Sequence, residues 1–317
     1  MFYNDYIHLG GQMIGVIYGG DSFEHEVSIE SANDIVKALG ALRIYLTKEG
    51  SWQVDGELVN NIIPVLKACD MIFPIIHGGF GEDGTLQGFL EMNRIPYVGS
   101  GVLASAICMD KDFTKRILQS HGIATTPFKT FYSLKEALCA EVSAPCIIKA
   151  ASLGSSIGVY KVLKDPAPAF EKAFALCDKV LVEELIEGRE LWCSVLQDGG
   201  SLIASQPCEI IPKDAFFTYE NKYEQEDGAI YHVPAKNVDS KLIQSISKKV
   251  FLLLGCKSMA RVDLFMRSNG EILVNEVNTL PGFRKKSLFP KSLLHDGMSY
   301  EELLSRLLKK TALLLPK

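Results

Sequence analysis

The sequence predicts an α/β (α+β) fold with a parallel sheet in its first part and a β-rich last part, and three features carry that prediction. Apolar strand patterns alternate with helical patterns and glycine-rich loops through the first third of the chain, which is the βαβ rhythm of a parallel sheet. Strand patterns dominate from residue 190 onward. A turn sequence at 268–271, Ser-Asn-Gly-Glu, joins two of these later strands into a hairpin.

Length and composition are those of an ordinary globular protein. The chain has 317 residues, enough for two or three domains and a sizeable core. It is 47% hydrophobic and 22% charged, with a formal net charge of −5. Because no block of basic residues occurs, nucleic acids and anionic membranes are unfavourable partners.

The cysteines and the N-terminus indicate a reducing compartment. The eight cysteines form no CxxC pair, and most lie in apolar surroundings, which favours buried reduced thiols over a disulfide framework or a zinc site. The N-terminal residues lack the basic and apolar regions of a signal peptide, and no apolar run approaches a membrane span. We therefore expect a cytoplasmic protein.

The first hundred residues predict a parallel sheet with ligand-binding loops. Strands are predicted at 13–18, 42–47 and 71–76, and helices at 26–39 and 85–92. Gly40 is the expected end of the first helix. The loop His-Gly-Gly-Phe-Gly-Glu-Asp-Gly follows the third strand, and the end of a strand is where parallel sheets bind ligands. His77 lies at its start and serves either as a ligand-binding residue or as a structural group, whereas His25 is expected to face solvent.

The middle of the chain predicts a second unit. One helix is predicted over 101–122, then a strand at 127–131, a helix at 133–141 and a strand at 144–150. A loop of small residues at 152–158 follows, which suits a cover over phosphates. A helix at 165–177 and a strand at 179–186 complete this part. Lys149 strengthens the phosphate interpretation, because a lysine in a buried strand needs an anionic partner.

The last part predicts a sheet and a long polar connection. Strands are predicted at 191–197, 201–206 and 208–212, a helix at 238–254, and a terminal helix at 299–314. The segment 213–228 has no core face, which indicates either a functional lid or disorder. Carboxylates at the end of the strand 179–186 belong either to an adenosine site or to a solvated edge strand.

The hairpin 260–282 predicts a metal site. Residues two apart on a strand share a face, so Arg261 and Asp263 lie together, as do Glu276 and Asn278 on the returning strand. The apolar residues expected behind these polar faces are Val262, Leu264, Leu273 and Val277. Adjacent carboxylates repel unless a cation separates them, and a set of oxygen ligands suits Mg²⁺. The alternative is a solvated face with a surface ion pair.

Several stretches together resemble D-alanine–D-alanine ligases of the ATP-grasp superfamily. They occur in the family's order and cover nearly the whole chain from residue 13 to 300: GGDSFEHEVS, HGGFGEDGTLQG, PYVGSG, MDK, IIKA, SLGSSIGV, VEELIEGRE, ENKY, ARVDLF, NEVNTLPGF and SLFP. The resemblance implies an ATP-grasp fold with a parallel-sheet substrate domain at 1–100, a small central domain at 101–188 and a β-rich domain at 189–317. The last domain would contain a lid at 213–230 and the metal hairpin at 260–282.

The resemblance also implies an activity and the residues that carry it. ATP phosphorylates the carboxylate of one D-alanine, and the amine of a second attacks the acyl phosphate, which makes a peptidoglycan precursor. The implied ligands of Mg²⁺ or Mn²⁺, two ions in all, are Asp263, Glu276 and Asn278. The implied ATP contacts are Lys111, Lys149, Ser155, Ser156, Glu183, Glu184, Ile186, Glu190 and Lys222. The implied catalytic residues are Glu24, Ser155, Tyr223, Arg261 and Gly282.

The implied roles of these residues are specific. Glu24 holds the ammonium group of the first substrate near His77, and Ser287 binds the carboxylate of the second. Ser155 and Tyr223 form the hydrogen-bonded pair that clamps the lid. The remaining implied substrate contacts, the oxyanion stabilisers, are Arg261 and the Gly282 amide. D-alanine and a second copy of the chain, in a homodimer, are the implied partners.

Two departures from the family's pattern bear on the second substrate. The family has a threonine after the Pro-Gly-Phe/Met turn, whereas Arg284 stands here, followed by two lysines. Glu24-His25-Glu26 resembles a motif of some D-alanine–D-serine and D-alanine–D-lactate ligases as well as of some ordinary ones, although Tyr223 argues against lactate. The alternatives are therefore D-serine or D-lactate as acceptor, or an inactive nucleotide-binding homologue.

Overall fold

In the computed structural model, which describes residues 12–212 and 229–311, the strands form three sheets. The first sheet has the order β4-β3-β2-β1-β5. Its strands are β1 (Ile14–Gly19), β2 (Leu42–Leu46), β3 (Trp52–Val54), β4 (Glu57–Val59) and β5 (Met71–Pro74). β1 runs parallel to β2 and to β5, as predicted, while β3 and β4 add an antiparallel hairpin that the sequence analysis did not anticipate.

The helices of this first part are α1 (His25–Leu39), α2 (Ile63–Ala68) and α3 (Thr85–Met92). The apolar face of α1 packs on the sheet, since Ala32 and Ile35 are fully buried with β1 in one core cluster. The helix ends where predicted, because Gly40 takes the left-handed conformation at φ 62° and donates its N–H to the Val36 carbonyl. The predicted α1 and α3 are confirmed, and α2 is an addition.

The single helix predicted over 101–122 is wrong, because the chain breaks at Asp110 into α4 (Val102–Met109) and α5 (Lys111–Ser120). Asp110 is extended, with ψ 102°, and its carboxylate accepts hydrogen bonds from the N–H groups of Asp112 and Phe113. An aspartate at this position caps a new helix instead of continuing the old one. Lys111 thereby becomes the first residue of α5, and its N–H donates to the Ala151 carbonyl at 2.9 Å.

The second sheet is antiparallel, with the order β6-β9-β7-β8. Its strands and helices are β6 (Phe128–Phe131), α6 (Leu134–Cys139), β7 (Cys146–Ala150), β8 (Val159–Val162), α7 (Ala167–Phe174) and β9 (Val180–Glu184). The two helices cover one face, where Phe131 and Phe170 pack edge to face at 5.5 Å between ring centroids. The loop between β7 and β8 is the predicted segment 152–158.

The third sheet has β10 at its centre and the order β13-β12-β10-β14-β15, with β11 also paired to β10. Its strands are β10 (Gly188–Asp198), β11 (Ser201–Ala204), β12 (Cys208–Pro212), β13 (Ala229–His232), β14 (Met259–Arg267) and β15 (Ile272–Asn278). The helices of this part are α8 (Ser240–Leu253), α9 (Leu288–His295) and α10 (Tyr300–Thr311). The sequence analysis did not predict α9. It did not predict β13 either, and the other elements of this part match predicted ones within a few residues.

The predicted hairpin of β14 and β15 contains a β-bulge. Asp263 pairs with Glu276, but the next residue of β14, Leu264, pairs with Val274, so that Asn275 is the extra residue. The bulge changes which side chains lie behind the polar face. Val274 packs in the core cluster with Leu264, and the expectation that Leu273 lies there is wrong.

The turn that follows the hairpin is fixed to the first sheet. Phe283 is fully buried, and its ring lies 5.3 Å from that of Phe73 on β5. The Phe283 N–H donates to the Ser31 hydroxyl of α1 at 3.2 Å. The first sheet and the turn after the hairpin therefore share one core. None of the helices in the described ranges is long and apolar enough to cross a lipid bilayer.

Candidate active site

A cavity of about 280 Å³ lies where the first sheet, the loop 152–158 and the hairpin meet. Residues from the first sheet's loops, from the loop of the second sheet and from the strands of the third sheet line it. The predicted site residues that line it are Glu24, His77, Lys111, Ser155, Glu190, Arg261, Asp263, Glu276, Asn278, Gly282 and Ser287. The predicted residues that do not line it are Lys149, Ser156, Glu183, Glu184 and Ile186. Lys222 and Tyr223 lie outside the described residues, as does the predicted lid 213–228.

The polar face of the hairpin is built as the alternation of strand side chains predicted. Arg261 lies opposite Asn278, and Asp263 lies opposite Glu276. The Arg261 guanidinium donates to both oxygens of Asp263 at 2.7 Å, in a bidentate pair. Two carboxylates, one amide and one guanidinium thus share a face of the sheet.

Lys111 joins this face to the glycine-serine loop. Its ammonium donates to the Leu153 carbonyl at 2.6 Å and lies 3.8 Å from the Glu276 carboxylate. The position depends on the helix break, since Lys111 begins α5 directly after the Asp110 cap. A buried cation beside a carboxylate and a small-residue loop is suited to hold an anion such as a phosphate.

Glu24 and Ser155 connect the first sheet to the loop 152–158. The Ser155 hydroxyl donates to the Glu24 carboxylate, which lies buried at the start of α1. Ser155 and Ser156 both have positive φ, 51° and 61°, so the loop is held in a left-handed conformation that these residues adopt at a cost. The hydrogen bond fixes the loop over the cavity.

His77 is buried in a network that leads to the turn after the hairpin. Its Nδ1 lies 3.1 Å from the Leu280 carbonyl, and because a carbonyl only accepts, Nδ1 carries the proton. Its Nε2 lies 3.2 Å from the Ser31 hydroxyl. Glu82 lies 3.4 Å from Nδ1. Burial raises the pKa of Glu82, against the opposing hydrogen bond with His77.

The prediction that His25 faces solvent is wrong. The side chain is 4% exposed, and its ring nitrogens lie within hydrogen-bond distance of the Gly20 carbonyl and of the Tyr45 hydroxyl, at 3.1 Å for the latter. It therefore anchors the start of α1 beneath Glu24.

Lys149 and Glu183 form a buried ion pair behind the cavity. Lys149 Nζ lies 2.8 Å from one Glu183 oxygen, and Lys115 Nζ lies 3.2 Å from the other. Burial alone would raise the pKa of Glu183, but the two lysines outweigh it and lower that pKa. Burial lowers the pKa of Lys115 to about 8. Lys149 also donates to the Asn275 amide oxygen at 3.2 Å.

Glu184 points to the other end of the hairpin. Both of its oxygens accept hydrogen bonds from Arg267, at 2.7 and 2.6 Å, and these bonds lower the pKa of Glu184. Of the two sequence-based alternatives, the Arg267 pair matches an exposed acid for the Glu184 side chain, but the expectation of an edge strand is wrong, because β9 lies between β6 and β7. Backbone groups of the neighbouring Ile186 remain the predicted adenosine contact.

The turn after the hairpin narrows the cavity at its other end. A Cβ on Gly282 would lie 3.2 Å from the Ser287 hydroxyl, so only glycine keeps this approach free of crowding. Arg284 lines the cavity, yet its guanidinium donates to the Glu30 carboxylate on α1. Arg284, which departs from the family's pattern, therefore lies at the rim of the cavity and forms an ion pair with Glu30.

The donor set of the hairpin fits a hard divalent cation. Asp263, Glu276 and Asn278 offer only oxygen ligands, which Mg²⁺ prefers, and Mg²⁺ usually completes its shell with phosphate oxygens and water. Nowhere in the described ranges do three or more histidine, cysteine, aspartate or glutamate side chains gather as a metal cluster. This donor set thus suits an ion that is shared with a phosphate ligand, and not an ion that is enclosed by protein ligands alone.

Sequence reasoning missed three residues of this region: Glu82, Lys115 and Asn275. Glu82 lies in the glycine-rich loop that follows the third predicted strand, and its carboxylate was the available signal. Lys115 follows Lys111 by one helical turn, so both ammonium groups leave the same face of α5. Nothing in the local sequence distinguishes Asn275 from its neighbours.

Comparisons with known families agree over nearly the whole chain. A family model described as the C-terminus of D-ala D-ala ligase matches residues 117–309. A second model, described as the N-terminus of D-ala D-ala ligase, matches residues 13–62 and 59–100. Together these matches cover the residues that line the cavity, except Cys108, Met109 and Lys111 in the unmatched stretch 101–116.

Individual proteins are similar at the same level. The chain is 40% identical to a D-alanine–D-alanine ligase of Oceanobacillus iheyensis over 93% of this chain and 94% of that protein. It is 39% identical to D-alanine–D-alanine ligase A of Chromobacterium violaceum over 95% of each. Among solved structures, the VanG D-Ala:D-Ser ligase of Enterococcus faecalis is 33% identical with a TM-score of 0.84, covering 95% of this chain and 99% of that one. The D-alanine-D-alanine ligase of Coxiella burnetii is 32% identical with a TM-score of 0.80, over 95% and 94%.

Proposed function

We propose roles in the family's reaction for the side chains of the cavity, because this chain belongs to the D-alanine–D-alanine ligase family. That reaction is the ATP-dependent ligation of two D-alanines to D-alanyl-D-alanine for peptidoglycan precursor synthesis. The fold is the ATP-grasp fold of its structural neighbours. The observation that carries the proposed roles is the shared cavity of Glu24, Arg261, Glu276 and Ser287.

The first step we propose is phosphoryl transfer from ATP to the carboxylate of the first D-alanine. Glu24 holds the ammonium group of that substrate, and His77 is positioned beside it. Lys111 and Lys149 bind the phosphates, with Lys222 from the segment outside the described residues. Asp263, Glu276 and Asn278 would hold two Mg²⁺ or Mn²⁺ ions, which would neutralise charge on the phosphates when bound.

The second step is attack of the acceptor amine on the acyl phosphate. Arg261 and the Gly282 N–H stabilise the negative oxygen of the tetrahedral intermediate, where preorganised donors are most effective. Ser287 binds the acceptor carboxylate. Because the acyl phosphate is sensitive to water, the Ser155–Glu24 hydrogen bond has a protective role in keeping the loop 152–158 over the cavity.

The adenosine end uses the remaining predicted residues. Glu183, Glu184 and Ile186 end strand β9 and supply backbone or side-chain contacts to the base, and Glu190 accepts hydrogen bonds from the ribose hydroxyls. Ser156 contributes loop contacts to the phosphates. Tyr223 closes the site from the predicted lid.

D-serine as acceptor is the second candidate, and two observations favour testing it. The chain is 33% identical to a protein named a D-Ala:D-Ser ligase, and Arg284 replaces a small hydroxyl residue at the rim of the cavity. The family name of the sequence relatives favours D-alanine. D-lactate and an inactive homologue are the remaining alternatives.

An acceptor competition assay tests the proposal. The pure chain is incubated with ATP, Mg²⁺ and D-alanine, alone and with equimolar D-serine or D-lactate, and dipeptide, depsipeptide, ADP and phosphate are measured. We expect ADP and phosphate in step with D-alanyl-D-alanine as the main product. A predominant D-alanyl-D-serine product would move the chain to the second candidate, and absence of any ligated product would overturn the activity.

The domain division and the assembly are further proposals. We place the domain boundaries near 100 and 188, propose a homodimer, and propose that the enzyme acts in the cytoplasm, where ATP is available. Light scattering coupled to gel filtration measures the assembly, and limited proteolysis tests whether cleavage falls near those two boundaries.

A further inference from the structure

A closed ring of polar contacts lies behind the cavity and links α5 to the bulge of the hairpin. Its members, named here the Lys115 ring, are Lys115, Thr125, Lys149, Glu183 and Asn275. Lys115 donates to the Thr125 hydroxyl at 3.0 Å, and that hydroxyl donates to a backbone carbonyl of β15 at 2.7 Å. Asn275, the next residue of β15, accepts a hydrogen bond from Lys149, and the two carboxylate oxygens of Glu183 form ion pairs with Lys149 at 2.8 Å and with Lys115 at 3.2 Å.

The ring holds one cation more than its carboxylate needs. Lys115, Lys149 and Glu183 are 0%, 5% and 3% exposed. Removing a lysine from water is unfavourable unless an anion compensates it, and one carboxylate compensates one lysine. The second ammonium group therefore needs negative charge from outside the ring, of which the nearby Glu276 carboxylate supplies a part and a bound phosphate would supply more.

The two lysines differ in their freedom to meet such an anion. Lys115 has no exposed surface, whereas Lys149 is 5% exposed, and each ammonium has one partner besides Glu183, Thr125 for Lys115 and Asn275 for Lys149. Lys149 lies one residue before the end of β7, and two residues, Ala150 and Ala151, separate that lysine from the loop 152–158. Its place in the chain, at the strand end that leads into the loop, makes it the ring lysine with the shorter path to the proposed phosphate site.

We propose that Lys115 is a positioning residue that serves as the permanent counter-ion of Glu183, so that Lys149 can leave Glu183 for a nucleotide phosphate. The inference rests on the proposed function in one respect, that the anion is ATP. Without Lys115, Lys149 would be the only cation of a buried carboxylate, and turning to the phosphate would leave that carboxylate unpaired. Nucleotide affinity would fall although no residue that touches the nucleotide had changed.

A double-mutant cycle on the full chain tests this. The dissociation constant of a non-hydrolysable ATP analogue with Mg²⁺ is measured by calorimetry for the unaltered chain, Lys115→Met, Glu183→Gln and the double variant. We expect Lys115→Met to weaken binding at least about tenfold in the Glu183 chain and less than about twofold in the Glu183→Gln chain. Equal losses in both backgrounds, which a merely structural lysine would give, overturn the proposal.

Thr125→Val is the matched control, since it opens the ring without changing its charges. We expect its dissociation constant to stay within about threefold of the unaltered chain. A loss as large as that of Lys115→Met would mean that ring geometry, and not charge, sets the affinity, and the proposal would fall. The KM for D-alanine should change less than about twofold in either variant, because neither contacts the amino-acid site.

A structure of the unaltered chain with the same analogue removes any dependence on how the variants fold. We expect Lys149 Nζ beyond ion-pair distance of Glu183, with Lys115 still paired to it. Lys149 remaining on Glu183 with the nucleotide bound overturns the proposal. A chain that binds no nucleotide at all would contradict the proposed function instead, so the two failures are distinguishable.

Discussion

Arg261 donates two parallel 2.7 Å hydrogen bonds to Asp263, which lies two residues along the same strand and on the same face. A proposed oxyanion stabiliser and a proposed metal ligand thus compensate each other's charge. Glu276 has a corresponding cation in Lys111 at 3.8 Å. Each carboxylate of the proposed metal site is therefore provided with a cation by the protein itself.

Metal removal is expected to stop turnover without destabilising the fold. Because Arg261 and Lys111 face the two carboxylates, the chain does not need a bound ion to offset their repulsion. We expect EDTA to abolish dipeptide formation and to shift the Tm by less than about 1 °C in scanning fluorimetry. A fall of several degrees would mean that the carboxylates depend on a metal for stability.

Glu276→Gln should lower turnover strongly while the fold survives. The change removes one negative charge from the proposed metal site and leaves the size of the side chain unchanged. We expect kcat to fall by about 100-fold and the Mg²⁺ requirement to rise. Glu271→Gln on the same hairpin is the control, since Glu271 is exposed and pairs only with Arg267 among the described residues. Near-normal rates for Glu276→Gln at ordinary Mg²⁺ would refute the metal assignment.

Ser155→Ala should uncouple ATP hydrolysis from ligation. Without its hydroxyl the loop 152–158 loses its hydrogen bond to Glu24, and water gains access to the acyl phosphate. We expect the ratio of dipeptide to ADP to drop well below one, measured in a single reaction. Ser152→Ala, at the start of the same loop, should keep the ratio near one. An unchanged ratio in both variants would show that the bond has no protective role.

Arg284→Thr should alter acceptor affinity more than ATP affinity. Arg284 lines the cavity beside Ser287 and is held at the rim by Glu30. We expect a change in acceptor KM of at least about threefold with the ATP KM nearly constant. Glu30→Gln, which releases the guanidinium without removing it, should also change the acceptor KM. Constant acceptor KM in both variants would mean that Arg284 plays no part in acceptor binding.

Lys115 should give the chain a distinctive pH dependence of stability. Burial lowers its pKa in the folded chain to about 8 from an ordinary 10.5, while Lys149 lowers it and Glu183 and Glu276 raise it. Between these pH values the unfolded chain holds a proton that the folded chain lacks, so raising the pH favours the folded state. Urea unfolding of the unaltered chain and Lys115→Met should therefore diverge above pH 8.

The expected divergence has a sign and a limit. Between pH 8 and 10, the free energy of unfolding of the unaltered chain should increase relative to that of Lys115→Met by at most about 1.4 kcal/mol per pH unit. Thr125→Val retains the lysine and should follow the unaltered chain. Parallel pH profiles for all three proteins would show that Lys115 does not titrate in this range.

The period of a strand was enough to predict the polar face of the hairpin. Residues two apart share a face whatever the rest of the chain does, so the grouping of Arg261 with Asp263, and of Glu276 with Asn278, followed from the sequence. Likewise, Gly40 ended α1 because a left-handed residue ends helices by local geometry. Local rules also carried the position of the loop 152–158, whereas the position of Lys111 did not follow from them, since one helix was predicted through it.

Features that depend on residues distant in the sequence could not be predicted from local patterns. Asp110 sits in an otherwise helical pattern, and its role as a cap is tied to the contact of Lys111 with Ala151 in another unit. Glu183 receives Lys115 from 68 positions away, a pairing that no local period specifies. The bulge at Asn275 is similar, since its amide is held by a lysine 126 positions distant.

Because of that bulge, one codon of β15 can be lost without reversing the faces on which the side chains of the strand lie. Asn275 is the one residue of β15 in excess of its partner strand, so deleting its codon would leave Glu276 opposite Asp263 and Val274 opposite Leu264. Elsewhere in the strand, loss of one codon would turn the proposed metal ligands toward the core. Deletion of Asn275 would leave the proposed metal ligands on the same face of the sheet and would remove only the amide that accepts a hydrogen bond from Lys149.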